Sequence, residues 1–414
     1  MSHAGHHHEG YSVVGRHRES PWEKVPMEEA FRLIEHHMLE PLTHIIPTNL
    51  AVPGQVLAQN IISRVNIPEY PTSIKDGYAV IANDTSTTRR VVGARSAGDQ
   101  GTIAPLQPGE CIRVTTGSVM PEGADAVVMV ERTSLVSHAA GEEELVQFNA
   151  TVVTGQDIRQ PGADCAVDDL ILRERSVLGS AEIVDCLSDE HLTPGQVRDS
   201  NRPQLLALLR QRGFKYIDAG ICQDTYRALS DGIRTALAFA PILITTGGVS
   251  MGEKDFIKDV LAKEFGFKIH FGRVNMKPGM PATFATGQWN GQSCAVFALP
   301  GNPVSSWVCS ELFAVPALRR LAGHPTGYQT ELRVKLSRAW PLDARPEFVR
   351  AVLVAPDEES PDHLPTAVPT GSQASSRLQS LTAANLLLRL PPRSTELPML
   401  AEGTVVSALV VGPI

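Results

Sequence analysis

The sequence predicts a multidomain protein of the α/β-plus-β class. Three observations carry that expectation. The chain has 414 residues, strand-like and helix-like apolar runs alternate between residues 199 and 323, and short β-branched runs broken by Gly and Pro lie on both sides of that stretch. Such a length exceeds one ordinary core, so about two to four domains are expected.

Composition narrows the function classes. Hydrophobic residues make up 43% and charged residues 20%, which describes a soluble globular protein. Aromatics at 5% argue against a stacking platform for single strands. A net charge of -8 argues against a nucleic-acid binder held by bulk electrostatics. No apolar run approaches the length of a membrane span. The six cysteines are scattered without a C-x-x-C pair, as expected of reduced thiols in a cytoplasmic protein. The N-terminal stretch lacks the apolar core of a signal peptide, and its clustered histidines read as solvated linker.

Taken in order, residues 1–20 read as a disordered linker. Met27, Ala30, Phe31, Ile34 and Met38 then fall at helical spacing. "GQVLAQNIISRVNIP" is strand-like. From Glu69 to about Val153, runs such as "GYAVIA", "CIRVTTG" and "ADAVVMVE" suggest a small all-β domain. "TGQDIRQPGADC" is a polar connection. Asp199 or Ser200 can cap a helix carrying Leu205, Leu206, Leu208 and Leu209, closed at Gly213. "KYIDAGI" reads as a strand, and Asp224 as the cap of a helix with Leu229, Ile233 and Leu237 on one face. "PILITT" reads as a buried strand, and Asp255 as the cap of a helix carrying Phe256, Ile257, Val260 and Leu261. "FKIHFGRV" and "CAVFALP" are further strands, and the following helix is expected to bend or break near Pro316. This alternation predicts a mainly parallel sheet with helices on both faces. After Gly323, "ELRVKL", "EFVRAVLVA", "LLLRL" and "GTVVSALVV" predict a small β-barrel or sandwich.

Ligands of α/β sheets bind beyond the carboxyl ends of the strands. Two glycine-rich loops follow such strands: "TTGGVSMGEKD", with Gly247, Gly248 and Ser250, and "LPGNPVSS", with Pro300, Gly301, Asn302, Pro303 and Ser305. Backbone N–H groups in such loops suit phosphate oxygens. Neither loop is a Walker A or G-x-G-x-x-G motif. Arg273 and Lys277 would place two cations near the same edge, favouring an oxyanion pocket within an acidic chain. Asp224 and Asp255 are explained either as helix caps or as Mg²⁺ ligands bridging a phosphate. Asp76 lies in the tight turn of "SIKDGYAV", Thr116 in "RVTTG" and Asp164 in a turn.

Together these stretches, with "RDSNR", "HFGRVNMKPGMPATFA", "PALRRLAG" and "GSQASSRLQSLTAANLLLRLPP", resemble the molybdopterin molybdotransferase family: bacterial MoeA proteins and the animal gephyrin (cinnamon) E domain. The match runs from about Trp22 to Ile414, and the wording of "GGVSMGEKD" and "ATFA" is closer to the animal E domain. The resemblance implies a MoeA-like architecture. An elongated dimerisation segment spans 21–65 and 154–184, with a small β domain inserted at 66–153. A MogA-like α/β domain spans 185–323, and a C-terminal β-barrel spans 324–414.

It implies a homodimer that inserts molybdate into adenylylated molybdopterin with Mg²⁺ and releases AMP. Asp224 and Asp255 become metal-site candidates, and Arg273 and Lys277 phosphate or molybdate contacts. Gly247, Gly248, Ser250 and the "PGNP" loop lie beside the pterin, Asp76 and Thr116 reach in from the partner chain, and Asp164 also matches a functional position. Arg350 and Ser375 match residues near molybdate. A separate MogA-like adenylyltransferase would supply the substrate. Related E domains also act as scaffolds for receptor loops, which is the alternative reading.

Two departures stand out. Met280 replaces a lysine common in bacterial members. More seriously, the family enters its α/β domain through a buried strand ending in Ser-Thr-Gly-Asp/Asn-Glu-Leu. No apolar strand or such motif lies between Ile183 and Val197. Loss of a central strand exposes sheet edges, so weak or absent activity is expected of this chain.

Overall fold

The computed structural model describes residues 43–99, 104–139, 141–149, 151–185, 198–249, 256–324, 329–356 and 363–413. The chain divides into a unit Met1–Ile45 and a unit Ile46–Ile414, and the described helices and strands all lie in the second. The linker expected at 1–20 and the helix expected at 27–38 lie outside the described residues.

Strands β1 (Gly77–Val80), β2 (Thr88–Arg95), β3 (Glu110–Val114), β4 (Ala126–Met129), β5 (Thr133–Ala139) and β6 (Glu142–Phe148) form a six-stranded sheet. Its order is β4-β1-β3-β2-β6-β5. The two-residue period of the strands sends Tyr78, Cys111, Val128 and Phe148 to one apolar cluster, and Ala79, Ile112, Val114 and Val127 to another. Gly77 is required by close pairing, because a Cβ there would lie 2.0 Å from the Val128 carbonyl oxygen. The chain enters and leaves through short antiparallel ladders, Ile61–Ile62 with Leu170–Leu172 and Thr72–Ser73 with Ile158–Arg159. The sheet is therefore an insertion between two neighbouring pieces of chain.

The α/β region contains α1 (Ser180–Asp185), α2 (Asn201–Gln211), α3 (Tyr226–Phe239), β7 (Ile242–Thr246), α4 (Ile257–Lys263), β8 (Lys268–Phe271), β9 (Thr283–Trp289), β10 (Gln292–Leu299), α5 (Pro303–Cys309) and α6 (Val315–Leu321). A π-helical turn, Ser310–Ala314, joins α5 to α6 just before Pro316, so the helical run is loosened there without being broken. Leu205, Leu208, Phe297 and Trp307 belong to one apolar cluster. Leu229, Ile233, Val260, Leu261 and Val296 belong to another.

Several expectations are corrected by this region. The sheet order is β7-β10-β9-β8, and only the β7–β10 pair is parallel. The cause is β9, which pairs with β10 as a hairpin through Asn290-Gly291, both at positive φ (49° and 77°). Residues 214–223, including "KYIDAGI", form no strand. A strand exists through a paired edge, and among the described residues β7 pairs only with β10. Ile217 and Ile221 are 61% and 74% exposed. Asp218 instead holds Arg202, at 2.8 and 3.0 Å. Asp224 is not the cap of α3. Thr225 is, its hydroxyl accepting from the Ala228 amide at 3.2 Å, the three-residue reach that capping needs. Likewise α4 starts at Ile257 with Phe256 at its N-cap, one residue beyond the start that an Asp255 cap requires.

Five strands, β11 (Glu331–Leu336), β12 (Glu347–Val354), β13 (Thr366–Pro369), β14 (Leu386–Leu390) and β15 (Val405–Val410), close into a barrel in the order β11-β13-β12-β14-β15. Closure removes exposed edges and encloses Val334, Leu336, Val349, Leu386, Leu388 and Ala408. The α/β region is tied to it at Lys277, whose amide donates to Pro346 O and whose carbonyl accepts from the Phe348 amide (2.9 and 2.8 Å).

Candidate active site

Strands β7 and β10 run parallel and in register, Thr245 opposite Ala298 and Thr246 opposite Leu299. Their carboxyl ends therefore deliver the two glycine loops to one place. Gly247 (φ 83°) donates its amide to Leu299 O at 3.0 Å. A Cβ on Gly301 would lie 3.6 Å from the Gly247 Cα, so the loops run side by side. Gly248 (φ 68°) lies against Ile257. The amides of Gly248, Gly301 and Asn302 have no hydrogen-bond partner among the described residues. Gly301 and Asn302 are exposed, while Pro300 and Ser305 are buried and Pro303 opens α5. This is a row of free N–H donors on a loop edge, suited to an oxyanion. Ser250 and Asp255 lie outside the described residues.

Side chains from other elements brace the second loop. Asn201, at the start of α2, donates its Nδ2 to Gly301 O at 2.7 Å. Asn302 Nδ2 donates to Ser375 Oγ at 3.0 Å, and the Val304 amide donates to Ser375 O at 3.1 Å. Ser376 donates to Asp164 Oδ1 at 3.2 Å, and Arg159 flanks the same carboxylate at 3.5 Å. Residues 375–376 thus link the second glycine loop to the segment that carries Asp164.

The cations differ in availability. Arg273 is exposed, and its one described contact is a weak one from Nη2 to Met280 Sδ at 3.7 Å. Lys277 Nζ is clamped between Asp343 Oδ2 (3.2 Å) and Glu347 Oε1 (2.9 Å). Burial alone would lower its pKa, but the bonds to Glu347 and Asp343 outweigh it and hold the ammonium above its ordinary value. Asp343 is drawn down to about 2: burial raises it, but bonds from Arg345 and Lys277 dominate. Arg350 is fully buried, and burial lowers its pKa to about 10 against the pull of Glu347. Its Nε and Nη2 share Ser380 Oγ (3.3 and 3.1 Å), and Nη1 has no partner.

Asp76 accepts from the Thr116 amide (2.7 Å) and hydroxyl (3.1 Å), so these two candidates form one unit on the inserted sheet. No described hydrogen bond joins them to the glycine loops. Asp224 is exposed and makes no described hydrogen bond or ion pair, leaving its carboxylate available. Among the described residues no three His, Cys, Asp or Glu side chains form a metal cluster. Sequence reasoning missed Asn201, Asp343, Glu347 and Ser380. Asn201 and Ser380 sit inside the stretches "RDSNR" and "GSQASSRLQSL", so their setting was visible. Asp343 and Glu347 carry no local signal, because their partner Lys277 lies on another domain.

Three family models match in chain order: the MoeA N-terminal region (domain I and II) over 25–187, the probable molybdopterin binding domain over 183–320, and the MoeA C-terminal region (domain IV) over 333–411. The molybdenum cofactor synthesis protein cinnamon of Drosophila melanogaster is 35% identical over 421 residues, covering 95% of this chain and 67% of that protein. Gephyrin of Dictyostelium discoideum is 34% identical, with 96% and 64% covered. Molybdopterin molybdenumtransferase 2 of Mycobacterium tuberculosis (strain CDC 1551 / Oshkosh) is 30% identical, with 85% and 91% covered. The chain thus spans about two thirds of the first two relatives and most of the third.

Proposed function

This chain belongs to the MoeA family of molybdenum-cofactor synthesis proteins, and on that premise we propose that it is a Mg²⁺-dependent molybdopterin molybdotransferase, inserting molybdate into adenylylated molybdopterin and releasing AMP. One observation carries the reading: two glycine loops meet at the ends of parallel strands with the Gly248, Gly301 and Asn302 amides free. Tetrahedral molybdate and the substrate's phosphates both call for such donors and for a cation. Arg273 is the exposed cation. Lys277 reaches a ligand by exchanging a carboxylate for it. Asp224, and Asp255 from the sequence "TTGGVSMGEKD", would hold Mg²⁺ with the substrate phosphates, since this ion needs only one or two protein carboxylates. When bound, Mg²⁺ would polarise the phosphoanhydride and neutralise charge as AMP departs.

The Asp76–Thr116 unit acts from a second copy in this reading. Exposed apolar residues on the flanking segments support a dimer, among them Leu50 (61%), Val56 (59%), Val153 (62%) and Val177 (57%). A separate MogA-like adenylyltransferase supplies the substrate. The described residues contain no helix long and apolar enough to cross a membrane.

The same reading makes this chain a weakened enzyme. Gln204 is fully buried with both amide atoms unpartnered, Thr245 Oγ1 is buried and unpartnered, and Ile217 and Ile221 face outward. Residues 186–197 lie outside the described ones; among those described, β7 pairs only with β10, and orphaned buried polar groups are what a sheet short of one strand would show. AMP release is measured with adenylylated molybdopterin, molybdate and Mg²⁺. Activity absent from this chain, and also from a version carrying the missing strand, would overturn the transferase assignment.

A further inference from the structure

Asn201 joins two parts of the molecule that lie 100 residues apart in sequence. Its side-chain Nδ2 donates to Gly301 O at 2.7 Å, while Asn201 itself is only 8% exposed. Its Oδ1 has no partner, so the amide makes this one bond. Gly301 O belongs to the peptide that also contains the Asn302 amide. A trans peptide is planar, and its C=O and N–H point in opposite directions. Fixing the carbonyl toward α2 therefore fixes the Asn302 N–H away from α2, on the open side of the loop. That N–H has no partner among the described residues, and Asn302 is exposed. Without the bond the peptide is free to rotate. The alternative orientation turns a carbonyl oxygen to the open side, where it would repel an anion.

We propose that Asn201 is a positioning residue: it locks the 301–302 peptide so that the Asn302 amide is presented to a phosphate oxygen of the adenylylated pterin. This rests on the glycine loops being the substrate cradle. Asn201 does not touch the ligand itself.

The test uses the full chain and the quenching of pterin fluorescence to read binding of adenylylated molybdopterin. Thermal melting runs in parallel. Asn201→Asp keeps the shape but replaces the donor with a carboxylate that repels Gly301 O. Asn302→Pro removes the N–H while suiting the native φ of -66°, and Asn302→Ala controls for the lost side-chain bond to Ser375. Asn201→Asp and Asn302→Pro are each expected to weaken binding about ten-fold, the loss of one charge-assisted bond. The double variant should bind no more weakly than either single one, because both remove the same contact. Asn302→Ala keeps the N–H and should bind more tightly than Asn302→Pro, whatever the lost Ser375 bond costs. Wild-type affinity in Asn201→Asp, with loss in Asn302→Pro, overturns the role of Asn201 and leaves the cradle standing. Wild-type affinity in both overturns the cradle reading as well. Should the α2 variants not fold, equal affinity of Asn302→Pro and Asn302→Ala still overturns the proposal.

Discussion

Replacing Arg212 by alanine isolates a fully buried carboxylate. Glu311 sits in the π-helical turn, with a side chain 0% exposed. Its Oε1 accepts from Arg212 Nη2 at 2.8 Å, and its Oε2 from Gln329 Nε2 at 2.8 Å. The same Arg212 nitrogen donates to Val411 O at 2.6 Å, beyond the last barrel strand. Arg212→Ala leaves a buried carboxylate with one neutral side-chain donor, Gln329, and only the weaker pull of Arg319. Breaking a buried pair from one side costs about 3–5 kcal/mol, and losing the Val411 bond adds about 1 kcal/mol. Against a typical stability of about 5–15 kcal/mol, the α/β domain and its barrel contact lose roughly a quarter or more.

The sign with pH is fixed. Burial raises the Glu311 pKa and Arg212 opposes it. Without Arg212 the pKa climbs further. A carboxyl whose folded pKa is raised favours the folded state at low pH, and that advantage is lost as pH rises through the folded value. The destabilisation should therefore be smaller near pH 5 than near pH 8 (about the ordinary carboxyl range against well above it). Urea unfolding of wild type and variant at both pH values measures this, and Arg212→Ala with Glu311→Gln should recover part of the loss. A loss under about 1 kcal/mol, or one independent of pH, would refute the burial argument.

Three other outcomes are expected. Asp343, drawn down to about 2 by Arg345 and Lys277, contributes stability that is complete above the ordinary carboxyl pKa and is lost as pH falls toward 2. Lys277→Ala should move the acid-unfolding midpoint to higher pH, read by circular dichroism. Gly77→Ala would place a methyl 2.0 Å from Val128 O and separate β1 from β4. It should lower stability by roughly 3 kcal/mol or more and show as lost amide protection in the inserted sheet. Asp224→Asn, at an exposed carboxylate without a described partner, should raise the Mg²⁺ concentration for half-maximal activity and leave the melting temperature within about a degree of wild type. An unchanged Mg²⁺ response would remove Asp224 from the metal site.

Local patterning made the inserted sheet and the barrel legible. Alternation along "ELRVKL" reports a two-residue period, and the short apolar runs "GYAV" and "LLLRL" also form strands. The loops were legible too, because each glycine cluster follows an apolar strand. What escaped was set by partners distant in sequence. "KYIDAGI" has strand composition, but composition supplies no neighbouring edge, and without one the segment stays irregular. β9 shows in the sequence only through its Asn290-Gly291 turn, and the antiparallel half of the sheet depends on it. The cap of α3 moved from Asp224 to Thr225 because capping is decided by a three-residue reach. From the sequence Lys277 is one of two cations near the loops, since nothing near it in sequence announces Asp343 and Glu347.

The most direct measurement compares AMP release by this chain with release by a version in which an apolar strand segment ending in Ser-Thr-Gly-Asp-Glu-Leu is inserted between Ile183 and Val197. Both are given adenylylated molybdopterin, molybdate and Mg²⁺. Mg²⁺-dependent release is expected from the restored protein and at least ten-fold less from this chain, about 1.4 kcal/mol or more in transition-state stabilisation. Equal turnover by the two would contradict the claim that the missing strand weakens the site, and no release from either would contradict the function itself.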